Sequence, residues 1–443
     1  MAETARVLLW GSDIGAVTWL PEPAIGVFQY TPEFAESGIE VAPLVMPLRT
    51  APYEFPTLSN ESFSGLPGML ADSLPDKFGN TLINAWLAGQ GRAPDSFTPV
   101  ERLCYIGTRG IGALEFRPTI HGAPTVARKV DIGALVELAS HVLDDRVALH
   151  GKFTGGNDKE IIEDILRVGT SAGGARAKAV LAWNVATGEF RSGQAPAEKG
   201  FTQWLMKFDG VSDNKDKELA DPKGYGRIEY AYYLMAKEAG IKMNDCRLHE
   251  ESGRAHFLTR RFDRLDDGNK LHMQSLGAMM HYDFNQAGAY SYEQAIQVIK
   301  RLGLPMASVE QQFVRAAFNI IARNQDDHVK NIAFLMDRRG QWKLSPAFDV
   351  VYSFNPSGDW TSRHQMSLNG KRDDFSRDDL LSFGKVGGIK KNRASQLLDQ
   401  IATAITAWAG FAIRGGVPDK DIKRIELTFR KDLVIKKFKN KEL

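Results

Sequence analysis

Three oxygen-bearing side chains in the last third of the chain could support phosphoryl transfer. Asp326 and Asn331 lie on either side of four residues, and Asp349 follows after a predicted hairpin. An aspartate can accept the proton of an attacking hydroxyl, and carboxylate and amide oxygens suit Mg²⁺. A base, a magnesium asparagine and a magnesium aspartate appear here in the order that phosphoryl transfer uses. We therefore predict Asp326 as the catalytic base and Asn331 and Asp349 as metal ligands.

Each of these residues also has a plainer explanation when it is taken alone. Asp326 and Asp327 are compatible with a polar turn that caps the next strand, and Asp349 with a surface acid after a proline turn. The ordered set favours the catalytic interpretation. His328 is predicted to be structural or to lie beside phosphate, because no second histidine stands at the spacing of a zinc site.

Upstream residues could hold the phosphates of a nucleotide. The glycine-rich stretch 168–178 is small enough for backbone N–H groups to approach phosphates, although it matches neither common phosphate-loop pattern and is also compatible with a hairpin. A predicted strand at 200–208 carries Lys207, which could reach the phosphates of ATP. Glu229, at the start of a predicted helix 228–239, could orient that lysine. A solvent lysine and an acid at a helix N-terminus are the alternative.

Hydrophobic periodicity predicts the elements of the first third. Apolar and polar residues alternate from Arg6 to about Tyr30, which predicts a small β-rich opening. Residues 65–88 follow a helical pattern that Pro67 and Pro75 interrupt, and the glycine-containing residues 105–116 predict a strand pair. None of these segments carries evident chemistry.

The elements around Asp326 are predicted in more detail. Residues 308–311 resemble a capping box, and helical spacing then continues to Ile321. Residues 332–336 and 341–344 predict strands joined by a turn at 337–340. Because the sequence shows no repeat of fixed period, solenoids and propellers are excluded, and the expected fold class is α+β.

Composition bounds the remaining possibilities. The 443 residues exceed what one core usually organises, and 43% hydrophobic with 25% charged residues is ordinary for a folded protein. Two cysteines without paired spacing and a start that lacks a leader pattern favour a cytoplasmic location. The longest uncharged apolar stretch, 401–413, is shorter than the roughly 20 residues that span a bilayer and predicts a core helix. Positive charge gathers at 436–441, although the net charge is only +2.

Taken in order, these motifs resemble the HipA family of bacterial toxin kinases. The matching segments are the glycine-rich loop 171–178, the Arg-Phe-Asp-Arg sequence 261–264, and the segments 326–331, 346–349 and 366–371. The resemblance implies a kinase-like two-lobed core with a mainly helical C-terminal lobe. It also implies an N-terminal subdomain at 1–125, an N-lobe at 126–260 and a C-lobe at 261–443.

The same resemblance implies roles for further residues around ATP and Mg²⁺. The phosphate-proximal or supporting set would be Ser171, Ala172, Gly173, Gly174, Lys178, Lys207, His328 and Lys330. Adenine would bind the connector from Arg260 to Phe262, and Glu229 would orient Lys207. Autophosphorylation of Ser171, with Thr170 as runner-up, would silence the kinase. Ala177 stands where many members have proline, and Arg260 replaces an acid seen in some members.

The resemblance also implies partners. A HipB-like helix-turn-helix antitoxin would bind the chain, DNA would be reached only through that complex, and no membrane is involved. The substrate would be a translation-associated protein, with aminoacyl-tRNA synthetases as the usual kind. A small-molecule phosphotransferase uses the same spacing of aspartate and asparagine, and a non-enzymatic co-repressor docked on the antitoxin is the third alternative.

Overall fold

The computed structural model describes residues 3–89, 91–119, 129–144, 176–193, 198–211 and 223–434. The strands are β1 Thr4–Leu9, β2 Ser12–Leu20, β3 Ile25–Tyr30, β4 Leu114–Arg117, β5 Lys178–Asn184, β6 Glu189–Ser192, β7 Thr202–Lys207, β8 Cys246–Glu251, β9 Arg254–Arg260, β10 His272–Ser275, β11 Ala333–Met336 and β12 Trp342–Leu344. The helices are α1 Pro32–Ala35, α2 Asn60–Phe63, α3 Gly68–Ala71, α4 Lys77–Gly89, α5 Pro99–Ile106, α6 Ile132–Asp144, α7 Tyr225–Glu238, α8 Leu276–Met280, α9 Tyr292–Arg301, α10 Met306–Ile321, α11 Arg377–Gly387, α12 Lys391–Thr406, α13 Trp408–Arg414 and α14 Asp419–Glu426. The predicted α+β class is confirmed.

The chain forms two compact units, and each is discontinuous in sequence. The first consists of Met1–Lys223, Arg247–Asp283 and Ala333–Trp342. The second consists of Gly224–Cys246, Phe284–Ile332 and Lys343–Leu443. The first is rich in β-structure and the second is mainly helical, as expected. The three-part division predicted from the sequence stays a prediction, and most of the boundary expected at 122–130 lies outside the described residues.

A four-stranded antiparallel sheet with the order β3-β2-β1-β4 opens the first unit. Buried and exposed residues alternate at the start of β1, as expected for a strand with one face in the core. Ala5 and Val7 are buried, whereas Thr4 and Arg6 are exposed. The buried face packs with Phe28 and other apolar side chains in one core. The predicted β-rich opening is therefore confirmed.

A five-stranded sheet with the order β6-β5-β7-β9-β8 carries the lysine candidates. Strands β5 and β7 are antiparallel, and their register makes Lys178 and Lys207 cross-strand partners. Helices α4 and α6 cover one face, where Leu82 and Leu135 join Leu181 in a shared core. The strand predicted around Lys207 is confirmed as β7.

The second unit is organised around buried aromatic residues. The ring of Tyr232 on α7 lies 5.3 Å from that of Trp408 and 6.2 Å from that of Phe318 on α10. Its hydroxyl donates to the carbonyl of Ala322 at 2.6 Å, so the buried polar end is satisfied. These contacts fix the end of α10, from which the chain continues to Asp326.

Several predicted boundaries agree with the structure. Strands β11 and β12 are neighbours in a three-stranded sheet with the order β10-β11-β12, which confirms the predicted hairpin. The helix predicted at 228–239 is α7 and begins three residues earlier, after Gly224 with φ of 95°. None of the helices in the described ranges combines the length and the apolar character that crossing a lipid bilayer requires.

Three local predictions were wrong. Residues 105–116 hold one strand, β4, because a capping box at Thr98 starts helix α5, which runs through Ile106. Extended Pro305 is the N-cap of α10, so residues 308–311 lie inside its first turns and form no capping box. The apolar stretch 401–413 is divided between α12 and α13 at Ala407, and Ile413 is 66% exposed.

Candidate active site

The segment 326–331 folds back on itself through two hydrogen bonds. The side-chain Nδ2 of Asn331 donates to the carbonyl oxygen of Asp326 at 2.7 Å. The backbone N–H of Asn331 donates to the carbonyl oxygen of His328 at 2.9 Å. The first bond leaves Oδ1 as the amide atom that can bind a cation. The carboxylate Oδ1 of Asp326 accepts from the indole Nε1 of Trp360 at 2.7 Å. The base candidate is thus held in a defined orientation.

Asn331 and Asp349 line the same concavity in the second unit, together with Asp327 and His328. Asp349 has a φ of 54°, in the left-handed region, which aspartate adopts more readily than most residues other than glycine. Two contacts hold the preceding loop: Arg315 donates to the Ser345 carbonyl at 2.6 Å, and Ala347 donates to the Lys242 carbonyl at 2.8 Å. The two predicted metal ligands are therefore brought to one place.

The chemistry of the donors suits magnesium. Among the described residues, no group of three or more His, Cys, Asp and Glu side chains is arranged to hold a metal ion. Mg²⁺ needs few protein ligands, since it keeps water and substrate phosphates in its remaining positions. One amide oxygen from Asn331 and one carboxylate from Asp349 fit that requirement.

Asp327 has a structural environment that sets it apart from its neighbour Asp326. It is buried, and its Oδ2 accepts from the Tyr292 hydroxyl at 2.6 Å and lies 2.7 Å from Nδ1 of His364. Its Oδ1 accepts from the Gln365 backbone N–H at 2.7 Å. Burial alone would raise the pKa of Asp327, but His364 and these hydrogen bonds hold it below its usual range. Asp327 therefore anchors the loop as a carboxylate.

His328 and Lys330 lie beside the same segment. The Nε2 of His328 is 3.8 Å from Oδ1 of Asp326, and its buried Nδ1 has no hydrogen-bond partner within the described ranges. The Nζ of Lys330 lies 4.4 Å from the centre of the Phe284 ring, a cation–π distance. The predicted supporting role of both residues stays a prediction.

In the first unit, Lys178 is engaged with an acid. Its Nζ lies 2.8 Å from Oδ2 of Asp76, and the two side chains are 2% and 7% exposed. The Nζ of Lys207, also buried, lies 5.8 Å from the centre of the Phe257 ring. The sequence pattern suggested phosphate for Lys178 and gave no sign of Asp76.

The residues of the predicted adenine connector belong to a polar cluster. Arg260 is the last residue of β9 and pairs with Asp266. Phe262, two residues later, is half-buried. Next to them, buried Asp263 accepts from Arg264 and from the backbone N–H of Gly112, each at 2.8 Å. The Arg-Phe-Asp-Arg sequence thus joins β9 to the loop before β4, and its contact with adenine stays a prediction.

The remaining predicted site residues are Glu229 and those of the glycine-rich loop. Glu229 is buried in α7 of the second unit, whereas Lys207 is in the first, and their pairing stays a prediction. Outside the described residues lie Thr170, Ser171, Ala172, Gly173 and Gly174.

Sequence reasoning missed the residues that hold the segment 326–331. They are Tyr292, Trp360, His364 and Gln365. Trp360, His364 and Gln365 lie within six residues before the family-like segment 366–371, and this nearness is their only signal in the sequence. Tyr292 has no such signal. Long-range hydrogen bonds of this kind leave no periodic pattern in the sequence.

Two family models match the chain. The HipA N-terminal domain matches residues 5–117, and the HipA-like C-terminal domain matches residues 170–409.

Two curated proteins are similar over part of their length. "Putative kinase Y4mE" of Sinorhizobium fredii (strain NBRC 101917 / NGR234) is 25% identical over 198 residues, which cover 41% of this chain and 46% of that protein. A "Putative kinase" of Haemophilus influenzae (strain ATCC 51907 / DSM 11121 / KW20 / Rd) is 24% identical over 237 residues, covering 47% and 69%. The chain therefore spans about half the length of the Sinorhizobium relative.

One solved structure is similar along nearly the whole chain. It is the complex of HipA, HipB and operator DNA from the Shewanella oneidensis MR-1 toxin–antitoxin system. The match has a TM-score of 0.67 and 18% identity, and covers 97% of this chain and 96% of that chain. At this identity the match shows the fold alone.

Proposed function

This chain belongs to the HipA family, and from that premise we propose that it is an ATP- and magnesium-dependent serine/threonine protein kinase. The observation that carries the proposal is that Asn331 and Asp349 line one concavity and that Asn331 lies in the same folded segment as Asp326. This is the grouping of base and metal ligands that phosphoryl transfer requires.

Each of these residues has one task. Asn331 and Asp349 hold Mg²⁺, which neutralises phosphate charge when it is bound. Asp326 accepts the proton of the attacking serine or threonine hydroxyl as that oxygen bonds to phosphorus and the bond to the ADP oxygen breaks. Trp360 donates to Oδ1 of Asp326, and we assign Oδ2 as the oxygen that accepts the hydroxyl proton.

The proposal includes control and partners. Phosphorylation of Ser171, or alternatively Thr170, is proposed to silence the kinase, because the added charge of about −1.5 to −2 repels the phosphates of ATP. A HipB-like antitoxin is the proposed partner, because the Shewanella protein of the same fold is found in a complex with HipB and operator DNA. The proposed substrate is a translation-associated protein.

The test compares Asp326→Asn with Asp419→Asn. Asp419 is an exposed acid in the first turn of α14, so it is a matched charge control within the same unit. Purified wild type and variants are incubated with Mg-ATP and a cell lysate, and phosphorylated peptides are identified by mass spectrometry. We expect Asp326→Asn to abolish transfer and Asp419→Asn to retain it, with equal thermal stability.

Two results would contradict the proposal. If Asp326→Asn phosphorylates proteins as well as the wild type does, Asp326 is not the catalytic base. Transfer by the wild type to small molecules but to no protein would replace a protein kinase with a small-molecule phosphotransferase.

A further inference from the structure

Residues 360–365 contact the catalytic segment at both of its aspartates. Trp360 donates to Asp326 at 2.7 Å, His364 lies 2.7 Å from Asp327, and Gln325 donates through Nε2 to the Thr361 carbonyl at 3.1 Å. The backbone N–H of Gln365 donates to Oδ1 of Asp327, and its side-chain Nε2 donates to the Gln325 carbonyl at 3.4 Å. Five contacts therefore join two short loops that have little regular structure of their own.

His364 is the best-defined member of this set. It is completely buried, and its two ring nitrogens face different partners. Nε2 lies 2.9 Å from Nη1 of Arg430, and an arginine can only donate, so Nε2 accepts. Nδ1 then carries the proton that is donated to Asp327. The tautomer of His364 is set by Arg430.

Arg430 is itself fixed by several partners. It donates to the Ile320 carbonyl at 2.9 Å and pairs with Asp373. Ile320 belongs to the last turn of α10, which leads to Asp326. The chain from Arg430 through His364 to Asp327 therefore ties the segment after α14 to the catalytic loop.

We propose that residues 360–365 position the catalytic base, with His364 acting through Asp327 and Trp360 acting through Asp326. This inference rests on the proposed kinase function. Neither side chain transfers a proton or binds ATP; both are positioning residues. A loop displaced by about 1 Å costs on the order of 10²-fold in rate, so loss of either bond lowers kcat more than it changes the KM for ATP.

Three substitutions of His364 separate its two bonds. His364→Asn keeps a donor near the position of Nδ1 and loses the acceptor for Arg430. His364→Gln keeps an acceptor near Nε2 and loses the donor to Asp327. His364→Leu loses both. We expect kcat to fall about 10- to 100-fold in His364→Gln and His364→Leu and to stay close to wild type in His364→Asn, with the KM for ATP unchanged in all three.

Trp360→Phe removes the indole N–H and keeps an aromatic ring. We expect a kcat about tenfold lower, again without a change in the KM for ATP. A merely structural role predicts a different result: His364→Asn and His364→Gln would behave alike, and their losses would follow thermal stability. That result would overturn the proposal.

Hydrogen exchange of the backbone amides at 325–331 tests the same inference without enzymatic activity. We expect faster exchange in His364→Leu and His364→Gln, and protection like that of the wild type in His364→Asn. Equal protection in all variants would overturn the positioning role. A wild type that transfers no phosphate but shows the expected exchange pattern would contradict the kinase function and leave the positioning role supported.

Discussion

Lys178 forms a buried ion pair with Asp76, at 2.8 Å between Nζ and Oδ2. The other carboxylate oxygen of Asp76 accepts from the backbone N–H of Gly79 at 2.6 Å, in the first turn of α4. One acid thus begins a helix and neutralises a lysine of the five-stranded sheet. Lys178 is also the cross-strand partner of Lys207, so Asp76 places a carboxylate beside one of two lysines on neighbouring strands.

Asp76→Asn is expected to lower the free energy of unfolding by about 3 kcal/mol, because it removes the buried carboxylate that pairs with the Lys178 ammonium. The amide oxygen can still accept from Gly79. Urea denaturation measures the loss, and the double variant with Lys178→Met should recover most of it. A change below about 0.5 kcal/mol in Asp76→Asn would show that the pair does not contribute.

Asp263→Asn is expected to destabilise the protein at neutral pH by about 3 kcal/mol, since Arg261 and Arg264 lose their shared carboxylate. Burial alone would raise the pKa of Asp263, but the two guanidinium groups hold it well below its usual range. The stabilisation is therefore present above the unfolded pKa of about 3.9 and is lost as the pH falls below it.

The measurement for Asp263 is urea denaturation at several pH values. The variant should lose less stability than the wild type below about pH 4. Asp266→Asn is the matched control, because Asp266 is 77% exposed and pairs with Arg260 at the surface. We expect a change of less than about 1 kcal/mol there. Equal losses in both variants would contradict the structural role of Asp263.

His281 makes the stability of the first unit dependent on pH in a second range. Its Nε2 accepts from the backbone N–H of Gly68 at 3.0 Å, and burial lowers its pKa to about 4. The neutral form stabilises the fold fully above the unfolded pKa of about 6.5, and that stabilisation is lost as the pH falls towards 4. His281→Gln should lose about 2 kcal/mol less between pH 7 and 4. Parallel pH curves would contradict this expectation.

Gly112→Ala is expected to cost more stability than Gly268→Ala. Both glycines have positive φ, 77° and 82°, so the backbone strain of the two substitutions is similar. A Cβ at Gly112 would lie 2.9 Å from the backbone nitrogen of Met273, whereas nothing lies within 4 Å at Gly268. We expect an additional loss of about 1 to 3 kcal/mol at Gly112, measured by thermal unfolding. Equal losses would exclude the steric contact.

Local patterns predicted much of the fold. Alternating residues in β1 and the apolar spacing of α10 follow from which face is buried, so the sequence contains them directly. Helix starts were predicted less well. The prediction of a strand pair overlooked the capping-box pattern of Thr98 and Glu101, and Pro305 caps α10 without a side-chain hydrogen bond. The division at Ala407 had no breaker residue to mark it.

The candidate site was predictable where its residues are close in sequence. The spacing of Asp326 and Asn331 is local, and the structure gives it a physical basis in the bond from Asn331 to the Asp326 carbonyl. The contacts of His364 with Asp327 and of Lys178 with Asp76 join distant segments. Such pairs depend on tertiary packing, and no spacing rule identifies them.

The discontinuity of the first unit constrains how the chain can fold during synthesis. The central sheet of that unit needs β9, and the unit is complete only when Trp342 has left the ribosome. Until β9 has emerged, β7 exposes the edge that β9 later covers, and other chains could add to it. We therefore expect shortened chains that end at Lys223 to aggregate, and chaperones to bind the nascent protein until the hairpin of β11 and β12 emerges.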